Sequence, residues 1–347
     1  MSDRVVIALD AMGGDNAPRS VVRGAAIARK RFPNVEFLIF GDEARVEPLL
    51  KRSLRLKKFA QVVHTPDVVA DDAKAGVALR SGKNSSMRKA IDAVRDGEAD
   101  GIVSAGNTGA LMAMSKLVLR TLPGIDRPAM ASFFPTARGE SVMLDLGANI
   151  DCDSENLVQF AIMGELFSRT VMGSLEPTVG LLNVGSEEMK GNSTLRDANA
   201  VLRDGTHPMN YHGFIEGDDI AKGTVDVVVT DGFSGNIALK TAEGTAVLIG
   251  EFVRQMFKSS LLAGIGFLFA RPALRKLRAR VDPRRYNGAV FLGLNGIAVK
   301  SHGGSDALGF ATAIGVAVDM AANGFRDKMV QEFQPPLIAA PAKAASA

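Results

Sequence analysis

The sequence predicts a three-layer α/β/α sandwich built on a mostly parallel β-sheet. Three observations predict it. Short, continuously apolar runs read as strands buried on both faces. Longer helical patterns alternate with them. Glycine-rich loops follow the strands, where open α/β sheets place their ligand crevice.

The strands are VVIAL from Val5, VEFLIF from Val35, SVMLD from Ser141, TVGLLNV from Thr178 and VDVVVTD from Val225. The first helix begins at Pro18, whose fixed φ suits a first helical position, and runs to about Arg31. Ser85 or Ser86 is the expected cap of a helix through Asp96, and Thr108 of the next. Ser154 opens another, through about Arg169. A long helix is expected from near Gly235 towards Phe257, and the last from about Ser305 to Asn323. No repeat and no Pro/Ser-rich linker divides the body. The expectation is one catalytic domain over 1–325, in one or two lobes, with a helical hairpin at about 250–285. The proline- and alanine-rich tail, 326–347, is expected to be largely disordered.

Composition narrows the class. The chain has 347 residues, 46% hydrophobic and 23% charged, enough to bury a full core and too apolar for intrinsic disorder. One cysteine excludes an internal disulfide and a thiolate-only metal site. The start, MSDRVVIALDAMGGD, lacks the pattern of a signal peptide, and no uncharged apolar stretch reaches bilayer length. The expected compartment is the cytoplasm. The net charge of +3 hides an asymmetry: residues 271–285 hold seven basic residues and one acid, and the other residues together carry −3.

The 36 glycines cluster after the predicted strands. The loops are Asp10–Asp15, Ser104–Ala110, Asp145–Asn149, Asn183–Glu188, Asp231–Asn236 and Lys300–Asp306. Each pairs glycine with Asn, Asp, Ser or Thr. Glycine lets backbone N–H groups approach a ligand, and a following helix offers its positive end to an anion. Together these loops are expected to line one sheet edge as a large anion-binding site. Other motifs fail. The lone G-x-G, Gly264-Ile265-Gly266, has Phe269 where a third glycine belongs. Gly76 to Gly82-Lys83 has one residue too many for a P-loop, and Gly232-Phe-Ser-Gly-Asn236 lacks the last glycine of a nucleophile elbow. The four histidines form no HExxH, so no metal site is expected. Cys152 lies between Asp151 and Asp153, whose charges disfavour a thiolate.

The loops nevertheless form an ordered set. Asp10-Ala-Met-Gly-Gly-Asp-Asn-Ala-Pro18, Ser104-Ala-Gly-Asn-Thr-Gly-Ala-Leu111, Asp145-Leu-Gly-Ala-Asn149, Leu182-Asn-Val-Gly185, Lys190-Gly-Asn192, Thr230-Asp-Gly-Phe-Ser-Gly-Asn236 and Lys300-Ser-His-Gly303 follow one another. This closely resembles the bacterial phosphate acyltransferase family of phospholipid synthesis (PlsX), from about Arg4 to Asn323. The resemblance implies a fold like isocitrate/isopropylmalate dehydrogenase and phosphotransacetylase. It implies that long-chain acyl-ACP and orthophosphate give acyl phosphate and free acyl carrier protein. The product then serves a separate glycerol 3-phosphate acyltransferase. It also implies a homodimer, peripheral membrane association and no cofactor. Two other functions are weighed against it: an oxidoreductase of the isopropylmalate dehydrogenase type, for which no metal or nucleotide motif is found, and a non-catalytic membrane scaffold, which has no use for glycine loops.

Phosphate attack on a thioester needs a held anion, a stabilised oxyanion and a route for the departing thiolate. Lys190, Asn236 and His302 are the expected catalytic residues. Lys190 supplies charge, Asn236 either an amide donor or an N-cap, and His302 either an oxyanion donor or a proton for sulfur. Asp231 either orients Lys190 or satisfies loop amides. Expected substrate contacts are Asp10, Gly13, Gly14, Asp15, Gly106, Asn107, Thr108, Gly147, Asn149, Asn183, Gly185, Asp231, Gly232 and Gly235.

Ahead of the basic segment lie twelve uncharged residues, Ser259–Ala270, whose two glycines make a poor core helix. Pro272 is expected to start a basic amphipathic helix. The apolar tip (Leu261, Leu262, Ile265, Phe267, Leu268) beside Arg271, Arg275, Lys276 and Arg278 suits an anionic membrane surface or the acidic carrier protein. A hairpin packed on a dimer mate fits equally. Nucleic acid is not expected: the basic residues are confined to one segment, with Tyr286 the one stacking aromatic nearby.

Overall fold

A computed structural model describes residues 4–205, 207–280 and 282–333, without the side chains of Arg278 and Ala279. The strands are β1 (Val5–Asp10), β2 (Val35–Gly41), β3 (Ala60–His64), β4 (Gly101–Ser104), β5 (Ala129–Pro135), β6 (Glu140–Leu144), β7 (Thr178–Leu182), β8 (Asn210–Ile215), β9 (Val227–Val229), β10 (Ala289–Leu292) and β11 (Ile297–Lys300). The helices are α1 (Arg19–Arg31), α2 (Glu43–Lys51), α3 (Leu54–Lys57), α4 (Ala75–Ser81), α5 (Ser86–Arg95), α6 (Thr108–Leu119), α7 (Ser154–Phe167), α8 (Ser193–Arg203), α9 (Gly217–Lys222), α10 (Gly232–Lys258), α11 (Leu261–Arg280), α12 (Ala307–Ala322) and α13 (Phe325–Glu332).

One sheet joins all eleven strands in the order β3-β2-β1-β4-β11-β10-β5-β6-β9-β7-β8. Both faces are covered, which is why the strands read as unbroken apolar runs. Ile7 and Leu9 of β1 enter one core with α1 and α12, while Ala8 enters the opposite core with α5 and α6. Val227 and Val229 of β9 face the first core, and Val228 a third cluster under α9 and α10. This is the expected α/β/α sandwich.

Strand direction departs from a simple parallel sheet. β1, β2, β3, β4 and β11 run together. β10 is antiparallel to β11 and to β5, and β5 is antiparallel to β6. β6, β9, β7 and β8 then run parallel to one another. The two halves of the sheet therefore point in opposite directions.

Several helix starts are set by side-chain capping and shift from expectation, and Pro18 stands just before α1, whose first residue is Arg19. Ser85 caps α5, as read. Asn107 caps α6 in place of Thr108, Asp153 caps α7 in place of Ser154, and Asp306 caps α12 in place of Ser305. In each case a carboxylate or amide oxygen reaches N–H groups two or three residues on. The long helix starts at Gly232, capped by Asp231, rather than near Gly235. The hairpin is α10 with α11. Pro272 lies inside α11, which is continuous through the glycines, rather than at its start. Ser260 Oγ accepts Ala263 N–H at its N-terminus, and Phe267 packs edge-on against Phe257 of α10, centroids 5.3 Å apart. The expected tail is shortened as well: α13 is helical with Met329 buried, and Phe325 meets Phe167 at 5.9 Å. The remainder of the tail lies outside the described residues.

Candidate active site

The reversal of the sheet divides the glycine loops. Those after β1, β4 and β11 leave one edge; those after β6, β7 and β9 leave the other. The expectation of one common edge is corrected to three loops at each. The strands β10 and β5, which no glycine pattern announces, enter through three antiparallel pairings, and that odd number turns one half over.

At the first edge Asp10 is a buried hub. Its carboxylate accepts Ser86 Oγ and Ser104 Oγ, each at 2.6 Å, and the N–H groups of Met12 and Gly13 at 3.2 Å. These bonds fold the β1 loop onto the β4 loop. Gly13 has no room for a side chain: a Cβ there would lie 2.5 Å from Asp10 Oδ2 and 2.7 Å from Gly106 N. Asp15 N–H donates to Gly303 O at 3.1 Å, tying in the β11 loop, beside Gly14. Asn107 is spent on structure, its Oδ1 capping α6 and its Nδ2 donating to Asp71 O and Ala73 O. Thr108 is exposed in the first turn.

His302 is exposed at this edge. Its main-chain N–H donates to Asn287 Oδ1 at 2.9 Å, and its Nδ1 accepts Gly304 N–H at 3.1 Å. With Nδ1 an acceptor, the proton of the neutral ring sits on Nε2, which suits donation to an oxyanion. Lys300, at the end of β11, received no role from the sequence. It is buried, and its Nζ donates to Ala105 O and Ser301 O. Burial pushes its ammonium down to about 8, opposed by Asp71, Asp10 and Asp15. A lysine closing the apolar run IAVK was the available signal.

At the second edge Asp145 is the matching hub, completely buried. It accepts N–H groups from Met130, Gly147, Ala148 and Asn149, and Asn149 Nδ2 at 2.8 Å. Burial raises its carboxyl above the usual range, and these donors pull it back. Asn149 also holds Pro128 O, and its own carbonyl accepts Gly232 N–H at 2.7 Å. Gly235 passes so close that a Cβ would lie 2.0 Å from Asp145 O. Asp231 Oδ1 accepts Ser234 N–H at 2.6 Å. It satisfies a loop amide and makes no ion pair with Lys190 among the described residues. Asn236 is exposed, the fifth residue of α10 rather than its cap, and lies against Gly147. Asn183 is buried, its Nδ2 donating to Lys190 O at 3.2 Å. Lys190 is exposed, its stem over Gly185.

Lys190 and Asn236 thus share one edge of the sheet and His302 occupies the other. Cys152 sits behind the second edge with its thiol pushed up to about 11, chiefly by burial and then by Asp145 and Asp231. The expected direction holds; the expected cause, its two sequence neighbours, does not. A thiol held there is a poor nucleophile.

The hairpin leaves the body. Leu261 and Leu262 are 90% and 80% exposed, with Ile265, Phe267 and Leu268 also open. Arg271, Arg275 and Lys276 are exposed; the side chain of Arg278 lies outside the described residues. On α10, Val247, Leu248, Ile249, Phe252 and Met256 are exposed too. Among the described residues no single helix is long and apolar enough to cross a membrane.

Residues 5–328 match the family described as "Fatty acid synthesis protein". The chain is 67% identical over 332 residues to the phosphate acyltransferase of Rhodospirillum centenum, covering 96% of this chain and 94% of that protein. It is 60% identical to the phosphate acyltransferase of Rhodospirillum rubrum, covering 96% and 95%. Among solved structures, a phosphotransacetylase from Streptococcus pyogenes superposes with a TM-score of 0.64 at 18% identity, covering 92% of this chain and 94% of that one. EutD phosphotransacetylase from Staphylococcus aureus gives 0.60 at 17% identity, covering 92% and 95%. These two share the fold. Identity of this order along nearly the whole of both chains leads to one conclusion: the chain belongs to the phosphate acyltransferase family of acyltransferase enzymes.

Proposed function

We propose that the enzyme transfers a long-chain acyl group from acyl carrier protein to orthophosphate, giving acyl phosphate for glycerol 3-phosphate acylation. The observation that carries this reading is the pair of glycine-loop clusters. Each is built on a buried carboxylate that gathers loop amides, and each presents a polar side chain at its rim: His302 at one, Lys190 and Asn236 at the other.

Phosphate is largely dianionic at cellular pH and needs no covalent relay. Its oxygen attacks the thioester carbon, and the carbonyl becomes an oxyanion. Collapse breaks the C–S bond and releases the thiolate, which takes a proton. Lys190 balances the phosphate charge and Asn236 donates an amide N–H. The Nε2–H of His302 serves the oxyanion or the departing sulfur.

This chemistry asks for both edges in one place. A homodimer supplies that when the His302 edge of one copy meets the Lys190 edge of the other. The exposed apolar side of α10, which begins at the second edge, supports such a partner. The apolar end of the hairpin supports peripheral contact with a membrane surface.

The deciding assay is phosphate-dependent release of free carrier protein from its palmitoyl form. Release that tracks phosphate concentration is the expected result; no release from competent substrate removes this function.

A further inference from the structure

A second polar recess lies at the base of the hairpin. It is open, of about 400 Å³, and is lined by Gly139, Glu140, Lys276, Arg280, Arg285 and Tyr286. Three cations face one carboxylate. No carboxylate among the described residues lies within 4.0 Å of the charged nitrogens of Lys276, Arg280 or Arg285. The contrast with the adjacent Arg284 is informative, because that guanidinium is held by Asp282 at 2.6 Å and Asp306 at 3.2 Å. The recess keeps its excess positive charge, and unpaired cations converging on a concavity are what an oxyanion requires.

The recess is held in shape. Arg280 donates to Ala137 O at 2.8 Å and to Thr136 O at 3.4 Å, at the end of β5. Tyr286 Oη donates to Arg280 O at 2.5 Å. The next residue, Asn287, accepts the N–H of His302 and donates to Ser301 Oγ and Ser305 Oγ. The recess is therefore wired to the His302 loop through two consecutive residues.

We propose that this recess binds the phosphate of the acyl donor's phosphopantetheine arm, steering the thioester towards His302. The donor's identity rests on the function proposed above. A lipid headgroup offers the same phosphate chemistry, but position disfavours it. Lys276 lies fourteen residues beyond Leu262 on one helix, about 21 Å from the apolar end. A bilayer met end-on by that tip does not reach the recess.

The test is binding, measured by titration calorimetry on the full-length protein with two probes, phosphopantetheine and pantetheine. Wild type is expected to bind the phosphorylated probe about tenfold more tightly, an advantage that shrinks with added salt. Lys276→Ala/Arg285→Ala is expected to bind both alike. Both side chains are exposed, and each single variant, with part of the loss, checks that the double variant is folded. Arg280 is left intact because it braces β5. Equal binding of the two probes by wild type overturns the proposal, as does undiminished discrimination in the double variant. Loss of binding to phosphatidic acid vesicles with the discrimination retained assigns the recess to lipid instead, and also overturns it. The readout is independent of turnover, so failure of the carrier-release assay leaves it interpretable.

Discussion

Asn287 Oδ1 accepts the main-chain N–H of His302 at 2.9 Å. The same amide donates through Nδ2 to Ser301 Oγ at 2.8 Å, Ser305 Oγ at 3.0 Å and Gly309 O at 2.7 Å. One buried side chain thus fixes the loop after β11 and the start of α12. Asn287→Ala leaves several of these groups without a partner. Its expected cost is about 1–3 kcal/mol in denaturant unfolding, with kcat/KM lowered at least about tenfold. Wild-type kcat/KM would sever His302 positioning from Asn287.

Lys190 and His302 lie at opposite sheet edges, so the dimer proposal has a sharp consequence. Lys190→Ala and His302→Ala are each expected to be nearly inactive. When subunits of the two are exchanged, the mixed dimer contains one intact site. Random pairing should recover about a quarter of wild-type activity. No recovery, with exchange verified by mass, would mean that the residues act within one chain.

Close packing at the second edge is tested by glycine. Gly235→Ala drives a methyl group into Asp145 O and should destabilise by about 1–3 kcal/mol or more. Gly76, in α4, meets nothing within 4 Å. Gly76→Ala should be neutral or stabilise by up to about 1 kcal/mol. Thermal unfolding of the pair reads both signs.

Lys300 sets a pH dependence. Its ammonium is held near 8 in the folded protein against an ordinary value of 10.5. Between these values the unfolded chain binds the proton and the folded chain does not, so stability attributable to this group rises with pH. The neutral amine still has two N–H bonds for Ala105 O and Ser301 O. The stability of wild type relative to Lys300→Met should therefore climb from pH 8 to pH 10.5, by at most about 3 kcal/mol. A flat difference would place the ammonium at its ordinary value.

The structure also selects the variant for the membrane test. Phe267 is partly used against Phe257, whereas Leu261 and Leu262 are nearly bare. Leu261→Glu/Leu262→Glu should abolish sedimentation with anionic liposomes while the dimer persists in ultracentrifugation. Undiminished sedimentation would remove the apolar end as the contact.

Much of the frame was legible along the chain. A strand covered on both sides must be apolar at every position, so β1, β2, β6, β7 and β9 were visible as runs. The strands that escaped are short or less uniformly apolar: β4 has four residues, and every residue of β3 is partly or fully exposed. Helix starts were off by one to three residues because neighbouring Asn, Asp, Ser and Thr compete for the same cap, and only the backbone path decides which oxygen reaches the N–H groups. Among site residues, Asp10 was expected as a contact, yet it is a buried hub that holds loops; its counterpart Asp145 opens one of the glycine loops and was given no role of its own. Asn287 carried no signal, since an asparagine in a loop is ordinary until its four partners are brought together.

The sequence by itself determined the fold class, the family and the position of the glycine loops after the strands, because periodicity and motif are local properties of the chain. Which loops share an edge was decided by the tertiary structure alone. Direction in a sheet belongs to pairs of strands: three successive antiparallel pairings, β11–β10, β10–β5 and β5–β6, leave one half reversed, and no residue in either half records it. The same holds for charge. The basic segment was countable from the chain, but only folding separates Arg284, neutralised by two carboxylates, from Arg285 beside it, which faces the recess.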